Sequence, residues 1–315
     1  MLASMKHTHV NNGRLAIINS GTVSNVMGYI ADQLGSMGEV AVDGVGSTWA
    51  NSSSLYIGSQ GSGTLTITNG GVVSNHSSTI ALSRGSTGVV TVSGAGSAWK
   101  NNGNLSVGYE GSGTLAITNG GLVSVFGTLN IEHYGVWDGS INMASGGMLA
   151  IKGSAADSLN SFLDLIDGTD AIRYWDYSNS DWADIMEATY GEDYSLTCPT
   201  YGEDYSLTCP AGYPLYGYTV LTVSMPESTL PGDANCDGKV DDADVAVLAK
   251  YWQTDSVAFW GMGDFNGDNA VDDLDATLLA ANFQSGSSVN VPEPSTLIGL
   301  LGVCLVGLLA STRCK

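Results

Sequence analysis

The strongest chemistry in this sequence lies in two short runs of oxygen-bearing side chains. Residues 233–244 read DANCDGKVDDAD and residues 264–275 read DFNGDNAVDDLD, 31 positions further on. Each run puts Asp or Asn at its first, third and fifth positions and Asp at its ninth and twelfth. Calcium is a hard ion that takes six to eight oxygen ligands, and this spacing delivers them from one loop. The candidate donors of the first run are the side chains of Asp233, Asn235 and Asp237, the carbonyl of Lys239, Asp241 directly or through water, and Asp244. Those of the second are Asp264, Asn266, Asp268, the carbonyl of Ala270, Asp272 and Asp275. Gly238 stands where the loop turns sharply. Asn269 replaces it in the second run, and Asn tolerates a left-handed backbone better than most residues; the second site is therefore expected to bind somewhat less tightly. Val240 is expected to pair with its counterpart in the other loop. An acidic linker without metal is the plain alternative. Two copies in fixed register, each followed by an apolar periodic segment, weigh against it.

Those segments must position the loops. Apolar spacing predicts helices over Val245–Trp252 and Ala276–Phe283, with Val247, Leu248, Leu278 and Leu279 facing inward. The pair of loop–helix units, covering 231–284, resembles a type I dockerin. That resemblance implies two calcium ions, calcium-dependent folding and docking onto a cohesin-like protein. The loop positions on which partner choice rests in dockerins hold Asp242-Ala243 and Asp273-Leu274 here, unlike the Ser-Thr pairs of cellulosomal members.

Upstream the sequence repeats. GSGTLTITNGGVVS (61–74) recurs as GSGTLAITNGGLVS (111–124), and Trp49 and Trp99 share that 50-residue offset. A 25-residue half-period lies beneath it. Leu65 and Ile67 align with Val90 and Val92, Gly71 with Gly96, and Ile80 and Leu82 with Leu105 and Val107. The frame extends back through Val40, Val42 and Gly46 to Leu15, Ile17 and Gly21, and forward to Leu129 and Ile131 with a slip of one residue. In the first coil the third strand, around Tyr29 to Gln33, matches poorly. Each unit holds three alternating stretches, such as Thr64–Thr68, Val72–Ser74 and Thr79–Leu82, which put one set of side chains inward. A single unit cannot bury its apolar face alone, but stacked units build a continuous core. A right-handed parallel β-helix of about five coils is the expected fold, with glycines at corners that need φ > 0 and Asn69 and Asn119 in turns that also suit amide ladders. The phrases G-S-G-T-L-x-I-T-N-G-G-x-V-S and G-S-x-W-x-N resemble autotransporter-associated β-helical repeats, which implies a secreted, passenger-like solenoid.

Catalysis by such a solenoid requires carboxylates clustered with Arg, Lys or metal on one face. Arg14, Arg84 and Lys100 are instead scattered, and the six carboxylates before residue 157 share no phase. Glu132-His133 lacks the second histidine of a zinc helix. Trp49 and Trp99 could stack sugar rings; filling a coil corner is the favoured role.

Beyond Gly146-Gly147 the repeat fades. A helix is expected over Ser158–Ile166, with Leu159, Phe162, Leu163 and Ile166 on one face, then strands over Ile172–Tyr177 and Tyr218–Val223. An open solenoid end exposes strand edges and core, so residues 147–224 are expected to cap the solenoid of 11–146. TYGEDYSLTCP occurs twice in tandem, at 189–199 and 200–210, carrying Cys198 and Cys209. An oxidising compartment allows a disulfide between them, and a copied lone cysteine explains the pair equally well.

The chain ends in an apolar run, Leu297–Ala310, followed by Arg313 and Lys315, which suits a short membrane helix with a cytoplasmic end. With Pro292, Glu293 and Pro294 before it, the segment 291–315 resembles the PEP-CTERM sorting signal. The resemblance implies exosortase processing in a Gram-negative envelope and a link to exopolysaccharide and biofilm. Met1–Val10 holds no apolar leader, so the export this route needs is expected from an earlier start or a longer chain.

Charge limits the partners. The chain has 31 acidic against 10 basic residues, a net charge of −21, which excludes the basic footprint that nucleic acid requires. These features together predict a non-catalytic, secreted or surface structural or adhesive protein with two Ca2+ sites. The alternative is a polysaccharide-binding or polysaccharide-degrading β-helix tethered through dockerin–cohesin docking.

Overall fold

The computed structural model describes residues 5–131, 138–155, 158–167, 171–197, 215, 217–225, 230–254 and 258–284. The chain divides into two units, Met1–Pro226 and Glu227–Lys315. Glu132-His133, Cys198, Cys209 and the whole of 291–315, including Pro292, Glu293, Pro294 and the expected membrane helix, lie outside the described residues. Among the described residues no helix is long and apolar enough to cross a membrane.

The first unit is a parallel β-solenoid of about five turns. Coil one uses Asn12–Ile17 and Thr22–Ile30. Coil two uses Met37–Asp43, Thr48–Asn51 and Ser54–Ile57. Coil three uses Ser62–Thr68, Val72–Asn75 and Ser77–Ile80. Coils four and five follow the same plan as far as Ile131. Every coil-to-coil pairing is parallel and in register. Inward residues meet their own kind: Val40, Leu65, Val90 and Leu115 form one fully buried column. The poorly matched third strand of coil one is the end of a single nine-residue strand, Thr22–Ile30, which turns from the second face onto the third and pairs there with Ser54–Ile57.

The columns reveal why the sequence repeats at 50 rather than 25. On the first face successive partners are 25 residues apart. On the second, Trp49 pairs with Val73, Val73 with Trp99 and Trp99 with Val123, in steps of 24, 26 and 24. On the third, Ile80 pairs with Val107 and Ser78 with Leu105, so the alignment of Ile80 with Leu105 and Leu82 with Val107 is corrected by two residues. A shift of two keeps every side chain on its original face, so the sequence pattern cannot detect it. Turn length sets the alternation. The short corner Asn69–Gly71 after coil three's first strand alternates with the longer Gly94–Ser97. Gly46 and Gly96 do take φ of +84° and +87°. Gly71 does not; a Cβ there would lie 2.2 Å from the Val42 carbonyl oxygen, so close approach of the coils demands it.

Volume alternates with turn length. Trp49 and Trp99 are completely buried, which settles their role as core. Each stacks between valines (Val23 and Val73 for Trp49; Val73 and Val123 for Trp99). The indole of Trp49 reaches over Gly28, where a Cβ would meet it at 2.7 Å. Large residues in even coils thus fill space left by small ones in odd coils, as close packing requires.

The interior also carries a polar column that the sequence pattern did not single out. Asn25, Asn51, Asn75 and Asn101 end the second-face strands and are buried. Asn25 Nδ2 donates to Asn51 Oδ1 (2.6 Å) and Asn75 Nδ2 to Asn101 Oδ1 (2.8 Å). The Trp49 and Trp99 Nε1–H groups donate to Asn25 and Asn75 Oδ1 at 2.7 and 2.8 Å, and the Ser78 hydroxyl to Asn101 Oδ1. The amide bonds therefore run within two pairs of these residues, Asn25–Asn51 and Asn75–Asn101. Asn69 and Asn119 sit at corners with φ near +50° and bond across coils to Asp43 and Ser93 instead.

Parallel stacking runs past residue 146, through Gly139–Met143, Met148–Lys152, Ile166–Asp167 and Ile172–Asp176. Closure comes from a change of direction: Tyr218–Val223 pairs antiparallel with Met148–Lys152, Tyr194–Thr197 with Tyr218–Val223, and Asp181–Asp184 with Ile172–Asp176. The cap helix, α1 (Leu159–Leu163), is shorter than expected, because Ile166 joins a strand; Ser158 caps it by accepting from Ser161 N–H. Leu159, Phe162 and Leu163 are buried as expected.

In the second unit, α2 (Asp242–Lys250) and α3 (Asp273–Asn282) enclose a core of Ala234, Val240, Val247, Leu248, Ala258, Phe265, Val271 and Leu279. Both helices start three residues earlier than apolar spacing predicts. The reason lies in the loops themselves.

Candidate metal centre

Asp241 and Asp272 cap α2 and α3. Each side chain accepts from an N–H of the first turn, and the residues at the third helical position, Asp244 and Asp275, reach back to the cap N–H at 2.8 and 2.9 Å. The ninth and twelfth loop positions thus form a reciprocal capping box. One carboxylate closes the loop and opens the helix, so the helices begin where the loops end.

The two loops are folded alike. Asp233 accepts from the amides of Asp237 and Gly238 (3.1 and 2.9 Å), and Asp264 from those of Gly267, Asp268 and Asn269 (2.7, 3.1 and 2.9 Å). Asp244 accepts from Ala234 and Asn235, and Asp275 from Phe265 and Asn266. The third and fifth residues of each loop repeat one another: Asn235 and Asn266 accept from Asp237 and Asp268, which accept from Lys239 and Ala270. Gly238 and Asn269 have φ of +86° and +69°, so the sixth position is left-handed in both loops, and Asn269 adopts the conformation expected of it. Val240 and Val271 share the core but do not pair with each other, which corrects that expectation. Val240 O accepts from Gln284 N–H after α3 (2.7 Å), while Val271 exchanges bonds with Gln253 and Thr254 after α2 (2.9 and 3.0 Å). Each loop is strapped to the end of the other's helix.

Asp233, Asp244, Asp264 and Asp275 are buried, at 0–2% exposure. Burial of ionised carboxylates is costly without hydrogen bonds and countercharge. Burial raises the Asp264 carboxyl to about 6, with Asp275 and Asp268 adding to the shift and the amides of Asn269 and Gly267 opposing it. Asp244 and Asp275 are raised as well, chiefly by burial. Asn235, Asp237, Asn266 and Asp268 complete the rims on the solvent side. Among the described residues no group of three or more His, Cys, Asp or Glu is set at metal-holding distances; the side chains are satisfied by their own loop amides. The donor set nevertheless fits calcium. It is all oxygen, concentrates four buried carboxylates, and has no soft or aromatic nitrogen ligand. Cys236, at the fourth position, does not alter this. Burial and the nearby Asp233, Asp244 and Asp237 push its thiol up to about 12, so it stays protonated and a poor ligand at neutral pH.

One unit is a parallel β-solenoid and the other holds paired Asp/Asn loops that each open a capped helix, so the chain is modular, with a repeat body and a candidate metal-loop module. The sequence families agree. Residues 231–284 match the dockerin type I domain, and residues 290–313 match the PEP-CTERM protein-sorting motif. The chain therefore carries a dockerin domain, whose family binds calcium and implies a cohesin-type partner, and a signal for exosortase processing at the Gram-negative cell surface or exterior. No curated protein and no solved structure matches the chain.

Proposed function

We propose that this is a non-catalytic structural or adhesive protein of the extracellular matrix, held in shape by two calcium ions and released or displayed after processing of its tail. The observation that carries the reading is the outward surface of the solenoid, where hydroxyls stack from coil to coil. Ser62 Oγ lies 3.4 Å from Thr87 Oγ1, and Thr48 Oγ1 donates to Thr22 Oγ1 at 3.2 Å. In the first coils Arg14 pairs with Glu39 at 3.2 Å, and the His9 ring lies 3.1 Å from the Asp32 carboxylate. A repetitive hydroxyl and amide surface suits contact with exopolysaccharide through many weak bonds rather than chemistry at one point. In the dockerin-like unit, Asp233, Asn235, Asp237, Asp241, Asp244 and the Lys239 carbonyl would hold one calcium. Asp264, Asn266, Asp268, Asp272, Asp275 and the Ala270 carbonyl would hold the other.

The dockerin domain itself favours a second reading, in which the solenoid binds or degrades polysaccharide while docked to a cohesin-type protein. Incubation of the full chain with bacterial exopolysaccharides in calcium separates the two. Retention without new reducing ends or unsaturated products supports the structural reading; release of either product sinks it.

A further inference from the structure

The two calcium loops are joined by one side chain that neither loop contains. Trp260 lies in a single helical turn, Trp260–Met262, between α2 and the second loop. Its Nε1–H donates to the backbone carbonyl of Asp233, the first residue of the first loop, at 2.7 Å. Its ring meets Phe265 edge-on, with centroids 5.4 Å apart and planes at 78°. Phe265 is the buried second residue of the other loop, and its N–H bonds the closing carboxylate, Asp275, at 2.8 Å. A continuous chain of contacts therefore runs from the opening residue of loop one to the closing residue of loop two. The crossed backbone straps at Val240 and Val271 tie the same loops in parallel.

We propose that Trp260 is a positioning residue that couples the two calcium sites, so that each binds more tightly once the other is filled. The inference rests on the reading of both loops as calcium sites. Calcium at loop one fixes the Asp233 carbonyl and with it the indole; the indole fixes Phe265, whose amide orients Asp275 toward the second ion. Loss of one loop's order releases the indole and leaves the other to bear the ordering cost alone, and such coupling is reciprocal. A ring without the N–H still packs on Phe265 but no longer holds Asp233.

The test is calcium titration of the full chain by calorimetry, for the native sequence, Asp268→Ala, Trp260→Phe and the two combined. Asp268→Ala should weaken binding at loop one on the order of tenfold, within the usual range of allosteric coupling. In the Trp260→Phe background the same substitution should weaken loop one clearly less, by about two- to threefold, the crossed straps carrying the remainder. A role in stability alone would weaken both sites in Trp260→Phe and leave their mutual dependence intact, which would overturn the proposal. Native mass spectrometry of the unmodified chain at half-saturating calcium needs no variant. Coupled sites give fewer singly loaded molecules than independent binding requires, and a statistical distribution also overturns the proposal. Absence of bound calcium in every form would instead remove the calcium reading, and the coupling with it.

Discussion

Trp99 Nε1 donates to Asn75 Oδ1 at 2.8 Å across two adjacent coils, with both residues sealed inside the solenoid. Trp49 and Asn25 repeat the contact one two-coil unit earlier. The pair joins the largest core side chain of one coil to the polar column of the coil before it, and so fixes the physical repeat as two coils. The column is incomplete: Nδ2 of Asn51 and of Asn101 finds no hydrogen-bond partner among the described residues. A buried donor in that state costs about 1–3 kcal/mol, so the Trp–Asn bonds contribute register at the expense of some stability.

Trp99→Phe should therefore destabilise the solenoid by about 2–4 kcal/mol, combining the lost bond and its stranded acceptor with the void left by the smaller ring. Urea unfolding followed by the β-sheet circular dichroism signal measures it, and an unchanged midpoint would show that the indole N–H carries no weight.

Gly28 offers a test of the alternating volumes. A Cβ there would lie 2.7 Å from both Trp49 Cζ2 and Asn51 Oδ1 and 2.8 Å from Leu55 Cδ1. Gly28→Ala should cost about 1–3 kcal/mol through overpacking. Gly35→Ala meets nothing within 4 Å and is left with the backbone strain of φ +72°, about 1 kcal/mol. Thermal unfolding of the two variants should rank them in that order, and the reverse ranking would mean that the indole yields readily.

Calcium removal should act on one unit. Chelation is expected to unravel α2 and α3 while the strand signal of the solenoid persists, because the loops and the helix caps share Asp241, Asp244, Asp272 and Asp275. At calcium about a hundredfold above the dissociation constant, binding adds about 2.7 kcal/mol to this unit. Far-ultraviolet dichroism with and without chelator checks it; loss of the strand signal, or helices indifferent to chelation, contradicts it.

A pH dependence follows from Asp264, whose carboxyl burial raises to about 6. Without metal, a raised acid favours the folded state while protonated. That contribution is fully present below the ordinary Asp value and is lost as pH rises through about 6. Calcium demands the ionised form, so affinity at loop two should rise over the same interval, with proton release on binding near its midpoint. Calorimetry in buffers of different ionisation enthalpy reads both quantities. Equal affinity at about pH 5 and about pH 7.5, with no proton release, would show that Asp264 is already ionised.

The sequence by itself determined the solenoid, its coil length and the two loops. Alternation at period two selects a strand face, and a ligand pattern held within twelve residues, 233–244 and again 264–275, is local enough to read without a fold. Asn269 could be assigned its left-handed backbone for the same reason. What lay beyond it were relationships across coils or between loops. A two-residue register shift leaves Ile80 and Leu105 on the faces the pattern gave them, so only the stacked backbones reveal that Ile80 meets Val107. Asn25, Asn51, Asn75 and Asn101 look like turn residues in the sequence, and become a buried column because the coils above and below close over them. The crossed straps at Val240 and Val271, and the reach of Trp260 from Asp233 to Phe265, join residues whose separation no local pattern encodes. Tertiary packing decided them, because a contact across the core depends on which surfaces meet, and side-chain period records only which way each surface faces.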